Sequence, residues 1–264
     1  MRPDIAIIGG SGLYELFDST ATIHNPSTPY GAPSGPITVA EVSGRRVAFL
    51  PRHGQGHRYP PHRIPYRANL WALRALGCRQ ILAPCAVGGL RPDQPAGTFV
   101  LPDQLIDRTS NREHTFYEEG AVHINFADPY CPSLRGSLID NSTVPLVPGG
   151  TMVVINGPRF STRAESRGYA AAGGTVINMT GAPEASLARE LAMCYATIAL
   201  VTDLDAGVEG DRGVTQEEVF RVFAENTARM RQLLLTCVAK LPLSNDDCPC
   251  ANALAGITLP FQLP

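Results

Sequence analysis

The stretch Ile5-Ala6-Ile7-Ile8-Gly9-Gly10-Ser11-Gly12 decides how the rest of the chain is read. Four apolar residues stopped by glycine predict a short buried strand feeding a tight turn, the opening of an α/β sheet. In such a turn the backbone N–H groups can approach an anion closely, and Ser11 adds a hydroxyl donor. A tight turn with no ligand is the competing reading. The glycine spacing departs from both G-x-G-x-x-G and the Walker A pattern, which argues against a dinucleotide or nucleoside-triphosphate site.

Outward from that turn the chain alternates strands and helices. Thr38 to Val42 and Val47 to Leu50 bracket Ser43-Gly44-Arg45-Arg46 as a hairpin, and Pro51-Arg52-His53-Gly54 ends its second strand. Leu70, Trp71, Leu73 and Leu76 fall at helical spacing before Gly77, and Gln80 to Ala83 comes next as a buried strand. Asn111 to Pro148 lacks periodicity and predicts long loops with one helix near 132–138, a lid or an oligomer contact. Next come strand 151–155 with a helix from Ser161 or Thr162 boxed by Glu165, and strand 175–178 with a helix opened by Pro183-Glu184. Strand 196–201 stops at Thr202-Asp203-Leu204-Asp205, and a long amphipathic helix runs from Thr215 to Leu241. The pattern is that of one α/β domain over 1–241, followed by an irregular tail over 242–264.

Composition narrows the partners. The chain has 264 residues with 22 Lys+Arg against 24 Asp+Glu, a net charge of −2, which speaks against nucleic acid or a membrane surface as partner. No apolar run reaches the roughly 18 to 20 residues that a membrane span needs. Seven cysteines, an odd number set mostly in apolar segments, fit a soluble cytoplasmic protein with buried, reduced thiols better than a secreted disulfide framework. Cys248-Pro249-Cys250 stands apart and leaves two readings open, an incidental pair on a mobile tail or a redox-active or disulfide staple.

In open α/β sheets ligands sit beyond the carboxyl ends of the strands, so the residues just past each strand end carry the chemistry. The first strand leads into Ser11, the hairpin's second strand into Arg52 and His53, a later one into Met179 and Thr180, and the last into Asp203 and Asp205. A guanidinium fork can grip two oxygens of a phosphate, and an imidazole can add a donor or share a proton. Asp203 and Asp205, two apart in an extended segment, can meet one ligand from the same face; burial together would raise one of their pKa values and leave a proton donor at neutral pH. His53, His57 and His62 lack the spacing and neighbouring ligands of a metal site, so no metal is expected there.

The ordered set Gly9-Gly10-Ser11-Gly12-Leu13, Arg52-His53-Gly54, the run Tyr66 to Leu73, Ile106-Asp107-Arg108-Thr109, Gly157-Pro158-Arg159-Phe160, Ala164-Glu165, Asn178-Met179-Thr180, Pro183-Glu184 and Thr202-Asp203-Leu204-Asp205 resembles the trimeric purine nucleoside phosphorylases. Within that family the chain is most similar to the S-methyl-5′-thioadenosine phosphorylases. The resemblance spans residues 3 to 241 and implies a homotrimer of α/β subunits with a mixed, partly barrel-like central sheet flanked by helices. It also implies phosphorolysis without metal or cofactor, with inorganic phosphate as co-substrate and adenine and 5-methylthioribose 1-phosphate as products.

By the same resemblance Ser11, Arg52, His53, Cys85, Ala86 and Thr180 hold phosphate, Cys85 standing where the family often has Thr. Phe160, Ser161 and Met179 line the base and sugar pocket. Asp203, with Asp205, meets the base, and Asp203 is the general acid at N7, with His53 the second catalytic residue. His123, Val219 and Phe220 lie near the sugar's 5′ end, His123 reaching in from a neighbouring subunit. Asp203 favours a 6-amino purine, because a carboxylate accepts from N–H donors whereas a 6-oxo group is better met by Asn. Phosphorylases of inosine, guanosine or methylthioinosine rank second. Gln216 falls where thioadenosine enzymes tend to be apolar and leaves adenosine as an additional substrate. An NAD-dependent oxidoreductase and a noncatalytic nucleoside-binding protein are the rivals from other classes.

Overall fold

In the computed structural model, which describes residues 2–13, 16–17, 21–210, 213–244 and 248–264, the opening strand β1 (Ile5–Gly9) lies at the centre of a mixed sheet, buried at every residue. It pairs in parallel with β4 (Arg45–Pro51) and β5 (Gln80–Gly89), while β3 (Ile37–Val42) and β2 (Thr22–His24) extend the β4 side antiparallel to the edge. Side chains of a strand alternate between faces. Ala6 and Ile8 accordingly enter one apolar cluster, and Ile5 and Ile7 enter another on the opposite face.

Helices cover both clusters. Leu70 and Leu73 of α1 (Tyr66–Leu76) and Leu187 and Ala188 of α4 (Gly181–Glu190) close the first. Leu134 and Leu138 of α2 (Pro132–Asn141) and Phe223, Met230 and Leu234 of α5 (Gln216–Val238) close the second. At about 1.5–3 kcal/mol for each fully buried aliphatic side chain, this two-sided burial is the main force holding the sheet. Gly77 ends α1 at φ 115°, a left-handed conformation that its lack of a side chain permits.

The sheet branches at β5. Its first residues pair with β1, its Gly88 and Gly89 pair antiparallel with β10 (Val176–Asn178), and β11 (Cys194–Leu204) runs parallel to it along its whole length. β10 continues to β9 (Thr151–Ile155) and β7 (Gln104–Arg108); β11 continues to β6 (Phe99–Val100) and β8 (Leu146–Val147). Local pattern predicts an end of β5 at Ala83, because Pro84 and the glycines after it look like breakers. The two-residue strands and the exposed β2 and β7 carry no periodic signal of their own. The remaining strands and the five described α-helices fall within a few residues of expectation.

Beyond α5 the described residues form turns, as expected of the tail, yet they pack closely. Phe261 stacks on Tyr117 with ring centroids 5.1 Å apart and lies 5.6 Å from Trp71 of α1. Cys248 and Cys250 are 5% and 1% exposed, so the reading of an incidental pair on a mobile tail does not hold. Burial of these residues is invisible to local pattern, since the segment has neither helical nor strand period. All seven cysteines are unbridged. No described helix is long and apolar enough to cross a membrane.

Candidate active site

The carboxyl ends of β1, β4, β9, β10 and β11 open into one cavity of about 320 Å³, closed on one side by the first turns of α5. At one end the chain turns through Gly9-Gly10-Ser11-Gly12, where the Leu13 N–H donates back to the Gly10 carbonyl at 3.1 Å. A Cβ on Gly10 would stand 2.8 Å from Nη1 of Arg52 and 3.0 Å from the Pro84 carbonyl oxygen. The bare glycine is what lets the guanidinium pass behind the turn.

Arg52 is 1% exposed, and its charge is met from the far side of the sheet's end. Nε and Nη2 donate to the two carboxylate oxygens of Glu184 at 2.7 and 2.8 Å, and Nη1 donates to Pro84 at 3.1 Å. Glu184, fully buried at the start of α4, also accepts from the Tyr195 hydroxyl at 2.7 Å. The fork expected to grip an anion is therefore occupied by a carboxylate; Arg52 still lines the cavity, with one hydrogen left on each terminal nitrogen.

His53 stacks on His57 with ring centroids 3.9 Å apart, and its Nδ1–H donates to the Tyr59 carbonyl at 2.9 Å. Burial, with His57 and Arg52 nearby, pushes its pKa down to about 3. At neutral pH the ring is uncharged and Nε2 offers a lone pair, so it accepts a proton-bearing oxygen rather than donating to one. Cys85 completes this end: burial lifts its thiol to about 11, and Nδ2 of Asn178 donates to its sulfur at 3.5 Å. Oδ1 of Asn178 in turn receives the backbone N–H groups of Thr180 and Gly181.

The other end is acidic. Asp203 and Asp205 both line the cavity, the first just past a register shift in the β11–β5 pairing. Asp205 is fixed by the Ser166 hydroxyl, which donates to its Oδ2 at 2.5 Å from the first turn of α3 (Arg163–Ala171). That helix begins with the expected capping box, Thr162 with Glu165. Asp203 differs. The Thr202 hydroxyl lies 2.8 Å from its Oδ2, but its Oδ1, buried, has no hydrogen-bond partner among the described residues. Burial raises the Asp203 carboxyl to about 7, Thr202 works against the shift, and Asp205 adds to it. The acid pair thus does contain a proton donor at neutral pH, with desolvation the larger cause and mutual repulsion the smaller.

Of the site residues expected from sequence, Ser11, Arg52, His53, Cys85, Ala86, Phe160, Ser161, Met179, Thr180, Asp203, Asp205, Val219 and Phe220 all line this cavity. His123 does not; it lies in the loop before α2, away from the cavity of its own chain. Gln216 lines the cavity beside Val219 and Phe220. Sequence reasoning assigns no site role to His57, Asn178, Glu184 or Ser166. His57 sits one loop turn from His53, and Asn178 directly precedes Met179; only Glu184 and Ser166, in helices distant along the chain, carry no local signal.

Comparison with known proteins places the chain in a family. The family model described as the phosphorylase superfamily matches residues 4–239. A purine nucleoside phosphorylase of Streptomyces coelicolor is 51% identical, covering 100% of this chain and 99% of its own, and an S-methyl-5′-thioadenosine phosphorylase of Mycolicibacterium smegmatis is 54% identical, covering 98% and 99%. Among solved structures, the methylthioadenosine phosphorylase of Schistosoma mansoni in complex with adenine superposes with a TM-score of 0.86 at 38% identity, covering 90% of this chain and 91% of that one. With the mixed sheet, the strand-end cavity and near-complete coverage all in accord, the chain belongs to the phosphorylase superfamily.

Proposed function

We propose that the chain is a pentosyltransferase that cleaves S-methyl-5′-thioadenosine with phosphate, giving adenine and 5-methylthioribose 1-phosphate. The observation that carries this reading is Asp203, a buried carboxyl raised to about 7 with one oxygen left without a partner at the cavity wall. Breaking an N-glycosidic bond builds positive charge on the sugar and negative charge on the departing purine. A protonated carboxyl near N7 meets the second need as general acid. Phosphate meets the first, as an anion beneath C1′ that also stabilises the oxocarbenium-like sugar.

At the anion end, Ser11, Thr180, the Cys85 thiol and the cavity-facing edge of Arg52 supply donors, and the uncharged His53 ring accepts the phosphate's own proton through Nε2. Glu184 holds Arg52 in place. Ala86, Met179, Phe160 and Ser161 enclose the base and sugar, Val219 and Phe220 present an apolar wall to the 5′ substituent, and Asp205, locked by Ser166, borders the base end. Holding nucleoside and phosphate together in attack geometry contributes as much as the charges do. No cofactor enters this scheme. The subunits form a homotrimer in which His123 of one chain reaches the 5′ end of a neighbour's site, and the enzyme works in the cytoplasm.

A second activity, on adenosine, is favoured by Gln216 at the apolar wall, which can pair with a 5′-hydroxyl. The test is incubation of the purified protein with methylthioadenosine, adenosine, methylthioinosine and inosine, each with and without phosphate, with base release measured by chromatography. Adenine release that requires phosphate, fastest from methylthioadenosine, is the expected result. Preferential hypoxanthine release would overturn the role of Asp203 in base choice, and release without phosphate would make the enzyme a hydrolase.

A further inference from the structure

A second concentration of reactive side chains lies away from the cavity. Cys131, the N-cap of α2, Cys194, the first residue of β11, and Cys248 and Cys250 of the C-terminal segment come together from three parts of the chain. Their four sulfurs all lie within 4.8 Å of one another, and each residue is buried. None of the four lines the cavity, and the proposed reaction uses none of them. We propose that this quartet is a structural tetrathiolate site for one thiophilic divalent ion, Zn²⁺ foremost, which fastens the C-terminal segment to the sheet and to α2.

The geometry suits one ion better than paired sulfurs. Four thiolates at about 2.3 Å from a tetrahedral zinc stand about 3.8 Å from each other. The Cys131 and Cys248 sulfurs are already 3.4 Å apart, and the wider separations reach no more than 4.8 Å. Disulfides join sulfurs two by two and call for no convergence of four. An all-sulfur donor set selects a soft or borderline ion over Mg²⁺ or Ca²⁺, which take oxygen ligands.

Two neighbouring groups also donate to these sulfurs. The Leu134 N–H in the first turn of α2 donates to the Cys131 sulfur at 3.5 Å, and the Ser133 hydroxyl donates to the Cys248 sulfur at 3.8 Å. Such outer donors orient metal ligands and tune their basicity. Binding converts four thiols and Zn²⁺ into a tetrathiolate complex of charge −2 and four released protons. The buried Arg189 cation acts on Cys250 and offsets part of that charge.

The test uses the full chain purified without chelator from zinc-supplemented cells. About one zinc per chain is expected by elemental mass spectrometry, released when a mercurial titrates the thiols, and about one per chain is regained when the reduced, stripped protein is given Zn²⁺. Replacement of both Cys248 and Cys250 by Ser is expected to reduce bound zinc at least about tenfold. Should that variant fail to fold, Co²⁺ added to the stripped wild type provides the second measurement, with a sulfur-to-cobalt charge-transfer band that saturates at one equivalent and disappears on adding Zn²⁺. Zinc below about a tenth of one per chain together with no cobalt–thiolate band would overturn the proposal. So would an intact, unreduced chain lighter by two hydrogens per bridge, with these four cysteines paired in disulfides.

Discussion

Asp203 has one oxygen engaged by Thr202 and the other without a partner, and its ionised form is penalised by burial. The pKa of about 7 fixes the direction of the pH response: the acid form falls away as pH rises through 7, so kcat/KM for the nucleoside declines on the alkaline side. Asp203→Asn is expected to lower kcat/KM by about 10²- to 10³-fold and to abolish that decline, measured as a pH–rate profile beside the wild type. Arg52 and Glu184 give a second case. Glu184→Ala strands a guanidinium that is 1% exposed, and loss of about 3–5 kcal/mol of stability is expected in denaturant unfolding, because an uncompensated buried charge remains. At this scale the sequence points to Arg52 through its place after a strand. It cannot point to Glu184, 132 residues further on, whose position after a proline reads as an ordinary helix start.

Elements act on the site by carrying residues to it. The capping box of α3 sets the first turn of that helix, the first turn holds Ser166, and Ser166 holds Asp205. Thr162→Ala removes the cap's acceptor at a cost of about 1 kcal/mol, expected as a fall in Tm of about 2–4 °C by calorimetry. The motif is readable from sequence because all its atoms lie within four residues. β5 is only half readable for the opposite reason. Pro84 sits in its middle, a position that local rules deny to a central strand, and what stabilises it there is nonlocal: pairing of Pro84 with Ile198 on β11 and burial within the sheet. The same extension of β5 past Pro84 brings Cys85, Ala86, Val87 and Gly88 to the cavity wall.

For the molecule as a whole, burial of uncharged imidazole links folding to pH. His53 titrates near 3 when folded against 6.5 for the free side chain, so its contribution to stability is present above 6.5 and is lost as pH falls below it. His53→Gln is expected to lose less Tm than the wild type between pH 7 and about 5.5, a window above most carboxylate titrations. Assembly is a second matter at this scale. If His123 serves a neighbouring site, sedimentation should give three chains per particle, and His123→Ala should raise the KM for nucleoside while leaving that particle intact. The two-sided sheet is legible because alternating apolar residues in β1 face separate clusters; the docking of residues 248–264 is not, since turns carry no period.

The docked end of the chain also supplies an optical probe. Trp71 is the only tryptophan, and Phe261 packs 5.6 Å from its ring, with Tyr30 at 5.3 Å on another side. Trp71 is half-buried, and release of the last residues would uncover more of that indole. Emission excited at the indole band therefore shifts to the red on local detachment, separately from the far-ultraviolet circular dichroism that tracks the helices. The unmodified protein thus reports the seating of its own C-terminus, and chelator, thiol reagents or proteases acting there can be monitored in real time without a label.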